Sequence, residues 1–202
     1  VNQKEFLSDL EPHYNDALQY CRALCSRWQP AEAEEVLQEA LLKALVGYAS
    51  LQNRSRFRSW FFKIITRTFY SSVRGAFWKR FIPLQPADET ASMPLVYARD
   101  EPHDERWMLH QALATLSPKQ RAAILLFEIG GFSIEEIAVI QEARSISAVK
   151  SRLSRARKKL REALSNAEDG SNTLPASNGE SKQTTLEHET TTLVAKARKA
   201  LR

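Results

Sequence analysis

Residues 133–164 leave this chain little freedom in what it can become. Ser133-Ile-Glu-Glu136 is a capping box: the serine hydroxyl takes an amide of the next turn, and Glu136 returns to the Ser133 amide. Ile134, Ile137, Ala138 and Ile140 then form a short apolar stripe. From Arg144 the chain reads RSISAVKSRLSRARKKLR, with eight basic residues and no acidic one. Within and just beyond it, Ile146, Val149, Leu153, Ala156, Leu160 and Leu164 have the spacing of one buried helical face. A short capped helix, a tight turn and a second helix with its cations opposite its apolar stripe predict a helix-turn-helix. Such a basic helix suits the groove of duplex DNA. The preceding helix has its own box, Ser117-Pro118-Lys119-Gln120, with proline at the first helical position. It ends at Gly130-Gly131, which supply a left-handed C-terminal conformation. A solvated basic face is the plainer reading of a charge run, but eight cations without an anion have no local salt bridges to neutralise them.

A second basic block, Arg54 to Arg80, also holds eight cations and no acid, here interleaved with Phe57, Trp60, Phe61, Phe62, Phe69, Tyr70, Phe77 and Trp78. Cations beside aromatic rings suit single-stranded nucleic acid, where bases stack while phosphates are neutralised. Phe57, Trp60, Phe61, Ile64, Ile65 and Thr68 share helical spacing and predict a core stripe. Lys63, Thr66, Arg67, Tyr70, Ser71 and Arg74 lie around the rest of that helix as contact candidates.

Upstream the character reverses. Glu32, Glu34, Glu35 and Glu39 crowd AEAEEVLQEALLKALVGY, with no cation between Arg27 and Lys43, while Val36, Leu37, Ala40, Leu41, Ala44 and Leu45 supply the buried face. A helix macrodipole accounts for acids in the first turn, at about 0.3–1 kcal/mol each, and so for Glu32 and Glu34. Glu35, Gln38 and Glu39 continue into the next turn and predict a protein partner with a basic contact face. Leu7, Leu10, Tyr14, Leu18, Cys21, Cys25 and Trp28 predict a long amphipathic first helix ending near Pro30.

Helical periodicity stops near Phe81, where IPLQPADETASMPLVYARDEP holds four prolines. The predicted fold is therefore all-α: two small helical domains (1–82 and 102–165), a flexible linker (83–101) and a C-terminal extension (166–202). Such a linker implies no fixed geometry between the domains. Each domain alone is small and modestly stable. The net charge of +5 understates the polarity, because basic blocks and acidic strip are segregated. In the extension, residues 166–180 are too polar to fold, and LEHETTTLVAKARKALR is a marginal isolated helix. It reads as an appendage or as a regulatory segment that docks on the body or a partner. Cys21 and Cys25 lack a His or Cys cluster to complete a metal site, so they read as small buried apolar groups, and His13, His103, His110 and His188 are dispersed. No metal or other cofactor is expected. Without a paired-carboxylate metal motif, a His-x-Glu with paired cysteines or a phosphate-binding glycine loop, no catalytic residue is expected either. The absence of a signal peptide and of any apolar run of spanning length predicts a cytoplasmic protein with no membrane insertion.

Taken in order, these motifs resemble the extracytoplasmic-function (ECF) group of bacterial RNA polymerase sigma factors. AEEVLQEALLKAL at 33–45 is similar to that group's core-polymerase-binding helix, FRSWFFKIITRTFYSSVR at 57–74 to its promoter −10 helix, and LSPKQRAAILLFEIGGFSIEEIA at 116–138 with AVKSRLSRARKKLREAL at 148–164 to its −35-reading domain. The resemblance covers about residues 3–165. It implies a promoter-specificity subunit, not a catalyst, with core RNA polymerase and promoter DNA as partners. An anti-sigma factor, or self-inhibition by the extension, would regulate it. Glu34, Glu35, Gln38 and Glu39 would dock on polymerase. Asn53, Arg54, Arg56, Lys63, Arg67, Tyr70 and Arg74 would hold the −10 region as its strands separate. Arg144, Ser145, Ser147, Ala148, Lys150, Ser151, Arg152, Arg155 and Lys158 would meet the −35 element. Two departures stand out. The group's usual leucine-glycine-x-serine turn is here Gln141-Glu142-Ala143-Arg144-Ser145, with no glycine, and acids that are often aspartates are glutamates. A free-standing helix-turn-helix regulator would explain residues 117–164 and leave both N-terminal surfaces idle. A pure interaction protein would use the basic face on an acidic partner.

Overall fold

The computed structural model describes residues 3–26, 30–81 and 105–169, and among these every regular element is helical. The N-terminal domain comprises α1 (Gln3–Leu24), α2 (Pro30–Gly47) and α3 (Phe57–Phe81), with 3-10 turns at Tyr48–Ser50 and Arg54–Arg56 between the last two. The C-terminal domain comprises α4 (Glu105–Ala114), α5 (Pro118–Glu128), α6 (Ile134–Ile140) and α7 (Ile146–Asp169). The expected linker, 83–101, lies outside the described residues, as do Trp28 and residues 170–202. Residues 166–169, expected to be unfolded, continue α7.

In the N-terminal domain three helices bury one aromatic-rich core. Phe6 meets Tyr48 edge to face at 5.3 Å, Tyr20 lies 5.3 Å from Phe62, and Phe57 stacks 5.8 Å from Phe61. Such pairs add about 0.5–1.5 kcal/mol each beyond the area they bury. The buried face of α1 is Phe6, Leu10, Ala17, Tyr20, Cys21 and Leu24, whereas Leu7 and Tyr14 are 59% and 41% exposed. The apolar face read from Leu7, Leu10, Tyr14, Leu18, Cys21 and Cys25 is thus rotated at its N-terminal end, while Leu10, Cys21 and Cys25 are buried as read. A straight α-helix drifts by about 20° per heptad, so residues spaced by seven do not stay on one face.

Both predicted capping boxes form. Ser133 Oγ accepts from the Glu136 amide at 3.1 Å while Glu136 accepts from the Ser133 amide at 2.8 Å; Ser117 and Gln120 do the same for α5. Ser145 caps α7 by accepting the Ala148 amide at 3.1 Å. Gly131 sits at φ +61°, the left-handed C-terminal position. A Cβ on Gly130 would come within 2.7 Å of the Leu126 carbonyl and of the Phe132 ring, so Gly130 is required by packing.

The two domains pack on each other, contrary to the expectation of no fixed geometry. α1 and α3 lie against α5, and α3 lies against α6. Phe62 meets Phe132 at 5.1 Å, and Arg58 reaches the Gly130 carbonyl while its guanidinium lies 4.3 Å from the Phe132 ring. The reason shows in α5, where six consecutive residues, Arg121 to Leu126, are buried. A helix covered on two sides loses the single-stripe pattern by which a linker-separated domain is recognised.

Candidate polymerase and nucleic-acid interfaces

α2 presents its acids to solvent because Ala33, Val36, Leu37, Ala40 and Ala44 take the opposite side into the core. Glu34, Glu35, Gln38 and Glu39 are all exposed. Glu39 pairs with Lys43 at 2.6 Å and Glu34 faces Arg22 at 3.6 Å, both surface contacts of small net value. Desolvation, with Glu35 beside it, raises the Glu32 carboxyl above the usual range. Leu42 and Val46 are 65% and 80% exposed and continue the Glu35 face by helical spacing. Sequence reading missed them as part of this surface, although two apolar residues outside the core stripe were a legible signal.

The −10 candidates fall into two groups. In the loop, the Asn53 carboxamide accepts the Ser55 amide at 3.0 Å and caps the 3-10 turn. Arg54 stacks 4.1 Å from the Tyr48 ring centre and donates to Asp9 at 3.2 Å and Glu5 at 3.0 Å. Arg56 is exposed. On α3, Lys63, Arg67, Tyr70 and Arg74 follow one side of the helix. Arg67, Tyr70 and Arg74 line a cleft of about 560 Å³ with Lys43, Trp60 and Glu142. The Tyr70 hydroxyl is buried with no hydrogen-bond partner among the described residues, and desolvation raises its pKa. Thr66, read as a contact candidate, is fully buried. Its hydroxyl lies 3.0 Å from Tyr20 Oη and donates to the Phe62 carbonyl at 2.7 Å.

On α7, Ser147, Lys150, Ser151, Arg155 and Lys158 are exposed along one side, with Arg144 and Ser145 exposed just before the helix and Ala148 half-buried. Burial of Val149, Leu153 and Ala156 on the other side fixes that orientation. Arg152 is different. It is half-buried, donating at 2.8 Å to the Gln141 carboxamide, whose nitrogen donates at 3.1 Å to the Lys119 carbonyl. This chain of bonds ties α7 through the turn to α5. Arg157 is likewise engaged, with Glu128 at 2.9 Å and the Phe127 ring at 5.1 Å.

The turn between α6 and α7 carries what sequence reading did not foresee. Glu142 has φ +48°, the one non-glycine residue in the left-handed region among those described. Its carboxylate reaches across the domain boundary, 3.2 Å from Lys63 Nζ and in direct contact with Arg67. Hydrogen bonding from Lys63, with further help from Arg67, holds this carboxyl below its ordinary range.

No cluster of three or more metal-ligating side chains occurs among the described residues. Cys21 and Cys25 are buried free thiols; burial pushes Cys25 up to about 12 and Cys21 higher still, so neither is a ready thiolate. No described helix is long and apolar enough to cross a membrane.

Comparison with known proteins gives concordant matches. Residues 10–79 match sigma-70 region 2 and residues 106–160 match sigma-70 region 4. The chain is 34% identical over 132 residues to the ECF RNA polymerase sigma factor EcfG of Rhodopseudomonas palustris, covering 63% of this chain and 68% of that protein. It is 28% identical over 191 residues to the ECF RNA polymerase sigma factor SigG of Mycobacterium tuberculosis, a match that covers 82% of this chain and spans 50% of SigG. Its fold matches the sigma factor RpoE of Bartonella quintana, solved in complex with the anti-sigma factor NepR. The TM-score is 0.62 at 32% identity, covering 80% of this chain and 98% of that one.

Proposed function

The chain belongs to the extracytoplasmic-function group of RNA polymerase sigma factors, and from that membership we propose which of its surfaces meets polymerase and which meet promoter DNA. As a sigma factor it serves promoter recognition and transcription initiation by RNA polymerase. In our reading residues 1–82 dock on core polymerase through Glu34, Glu35, Gln38 and Glu39, and Leu42 and Val46 extend that face. The same domain holds the opening −10 strand with Asn53, Arg56, Lys63, Arg67, Tyr70 and Arg74. Arg54 positions the loop, since its guanidinium is already held by two carboxylates and a ring. Residues 102–165 meet the −35 duplex through the exposed side of α7. The protein would act in the cytoplasm, with no catalysis of its own. An anti-sigma partner, of the class seated on RpoE, or the extension 166–202 would restrain it.

The observation that carries this reading is the segregation of one exposed acidic helical face from two cationic surfaces on a single small chain. A free-standing DNA regulator has no use for the first. Reconstitution with purified core polymerase, scored on a genomic fragment library, tests it. Promoter-specific transcripts that require this protein are expected; DNA binding without polymerase association would overturn the docking assignment.

The two arginines of α7 differ in what they contribute. Arg155→Ala removes one exposed cation, so the slope of log K against log salt for −35 duplex binding should flatten by about 0.9. Arg152→Ala should also weaken binding, through loss of the Gln141 tether, while leaving that slope nearly unchanged. A titration series over salt concentration separates them, and identical slopes for both variants would refute the distinction.

A further inference from the structure

Glu142 occupies a backbone conformation that glycine adopts freely and that a side chain adopts under strain. Residues 141–145 hold no glycine to take that conformation. A side chain kept at a strained position is expected to make a contact that outweighs the strain. Among the described residues it forms ion pairs with Lys63 and Arg67 alone, two cations assigned above to the −10 strand. We propose that Glu142 is an internal competitor for promoter phosphate: it occupies Lys63 and Arg67, latches the C-terminal domain over the −10 face, and must be displaced before the strand can bind.

The proposal rests on the −10 assignment just given. Other contacts also join the domains, among them Phe62 on Phe132, Arg58 on the Gly130 carbonyl and the Phe132 ring, and Arg121 on the Leu24 carbonyl at 2.6 Å. These are packing and backbone contacts that no phosphate can imitate. The Glu142 contact is a carboxylate on two cations at the mouth of a solvent-open cleft, with the Glu142 and Arg67 side chains 50% and 60% exposed. A DNA phosphate presents the same charge and acceptor geometry to the same two side chains and can exchange with it. The latch therefore lies on the part of the boundary that DNA can reach.

The test compares the full chain with Glu142→Gly, which suits the left-handed backbone, and with Glu142→Gln, which keeps the strained side chain but removes the charge. The probe is a fluorescent single strand of mixed sequence, titrated over a salt series. Both variants should bind ~3- to 10-fold more tightly than the parent, and the salt slope should steepen by about 0.7 for each cation released. Glu135→Gln, the same charge change on an exposed residue of α6 with no ion pair to Lys63 or Arg67, should leave affinity and slope unchanged. Adding Lys63→Ala and Arg67→Ala to Glu142→Gly should abolish the gain, as a coupled set requires. Interdomain energy transfer, between a dye on α2 and one on α7, should shift toward longer distances in Glu142→Gly. Equal affinity and slope in parent and Glu142 variants would overturn the latch while sparing the −10 assignment. Failure of every chain to bind the strand would overturn the −10 assignment, and the proposal with it. A gain matched by Glu135→Gln would reduce the effect to net charge and overturn the latch.

Discussion

Glu35→Lys is expected to lower affinity for core polymerase by roughly 30-fold or more, since like charges brought together across an interface cost several kcal/mol and each 1.4 kcal/mol is tenfold. The fold should not notice. Glu35 is exposed on α2 and makes no ion pair among the described residues, so the substitution belongs with surface changes that stay within about 0.5 kcal/mol. It also removes a negative neighbour from Glu32, whose carboxyl is raised in part by Glu35. Glu39 would be a poorer choice, because its pair with Lys43 confounds docking with a local contact. The measurement is polymerase affinity of the purified variant beside its thermal melt. A variant that melts like the parent and binds polymerase normally would remove α2 from the interface.

What could be read from the sequence was what short-range chemistry determines. Ser117 with Gln120 and Ser133 with Glu136 are each three residues apart, and both boxes form as read. Most of the α7 stripe likewise needs nothing from outside its own helix: Val149, Leu153 and Ala156 turn inward and Lys150, Arg155 and Lys158 face out. Ile146, read into the stripe, is exposed, and Arg152 and Arg157 find partners on other elements. The acids of α2 were legible for the same reason. What the sequence could not display were partners brought from afar. Arg54 looks like a free cation until Asp9 and Glu5, 45 and 49 positions away, are placed beside it. Thr66 looked exposed because only one side of α3 was assigned to the core, whereas Tyr20 and the C-terminal domain cover another. Glu142 had a legible half and a hidden half. The missing glycine was plain, but the reason to keep a carboxylate there lies 75 positions away on Arg67.

Arg121→Met should cost about 3–5 kcal/mol of stability, the sum of a few buried carbonyls left without a donor at about 1–3 kcal/mol each, against a total of about 5–15 kcal/mol for a typical protein. Arg121 is 4% exposed, and its guanidinium closes two helix ends at once. It donates to Leu113 at 2.9 Å, Leu116 at 3.2 Å and Ala114 at 3.5 Å where α4 stops, and to the Leu24 carbonyl at 2.6 Å where α1 stops. The last carbonyls of a helix have no partner of their own, and a cation there also meets the negative end of the dipole. Methionine fills a similar volume but supplies no donor, and each buried carbonyl left unpaired costs about 1–3 kcal/mol. Arg121→Lys should recover only part of the loss, because one ammonium cannot span both helix ends. Of the four bonds just given, three lie within the C-terminal domain, so separating the domains would break one and keep three. That asymmetry lets the residue hold its own domain together whether the molecule is closed or open. Calorimetry on the full chain checks it: the melt should fall by roughly 10 °C at about 2–4 °C per kcal/mol, and the domains should begin to melt separately. A variant melting as one transition at the parent temperature would show that these carbonyls find other partners.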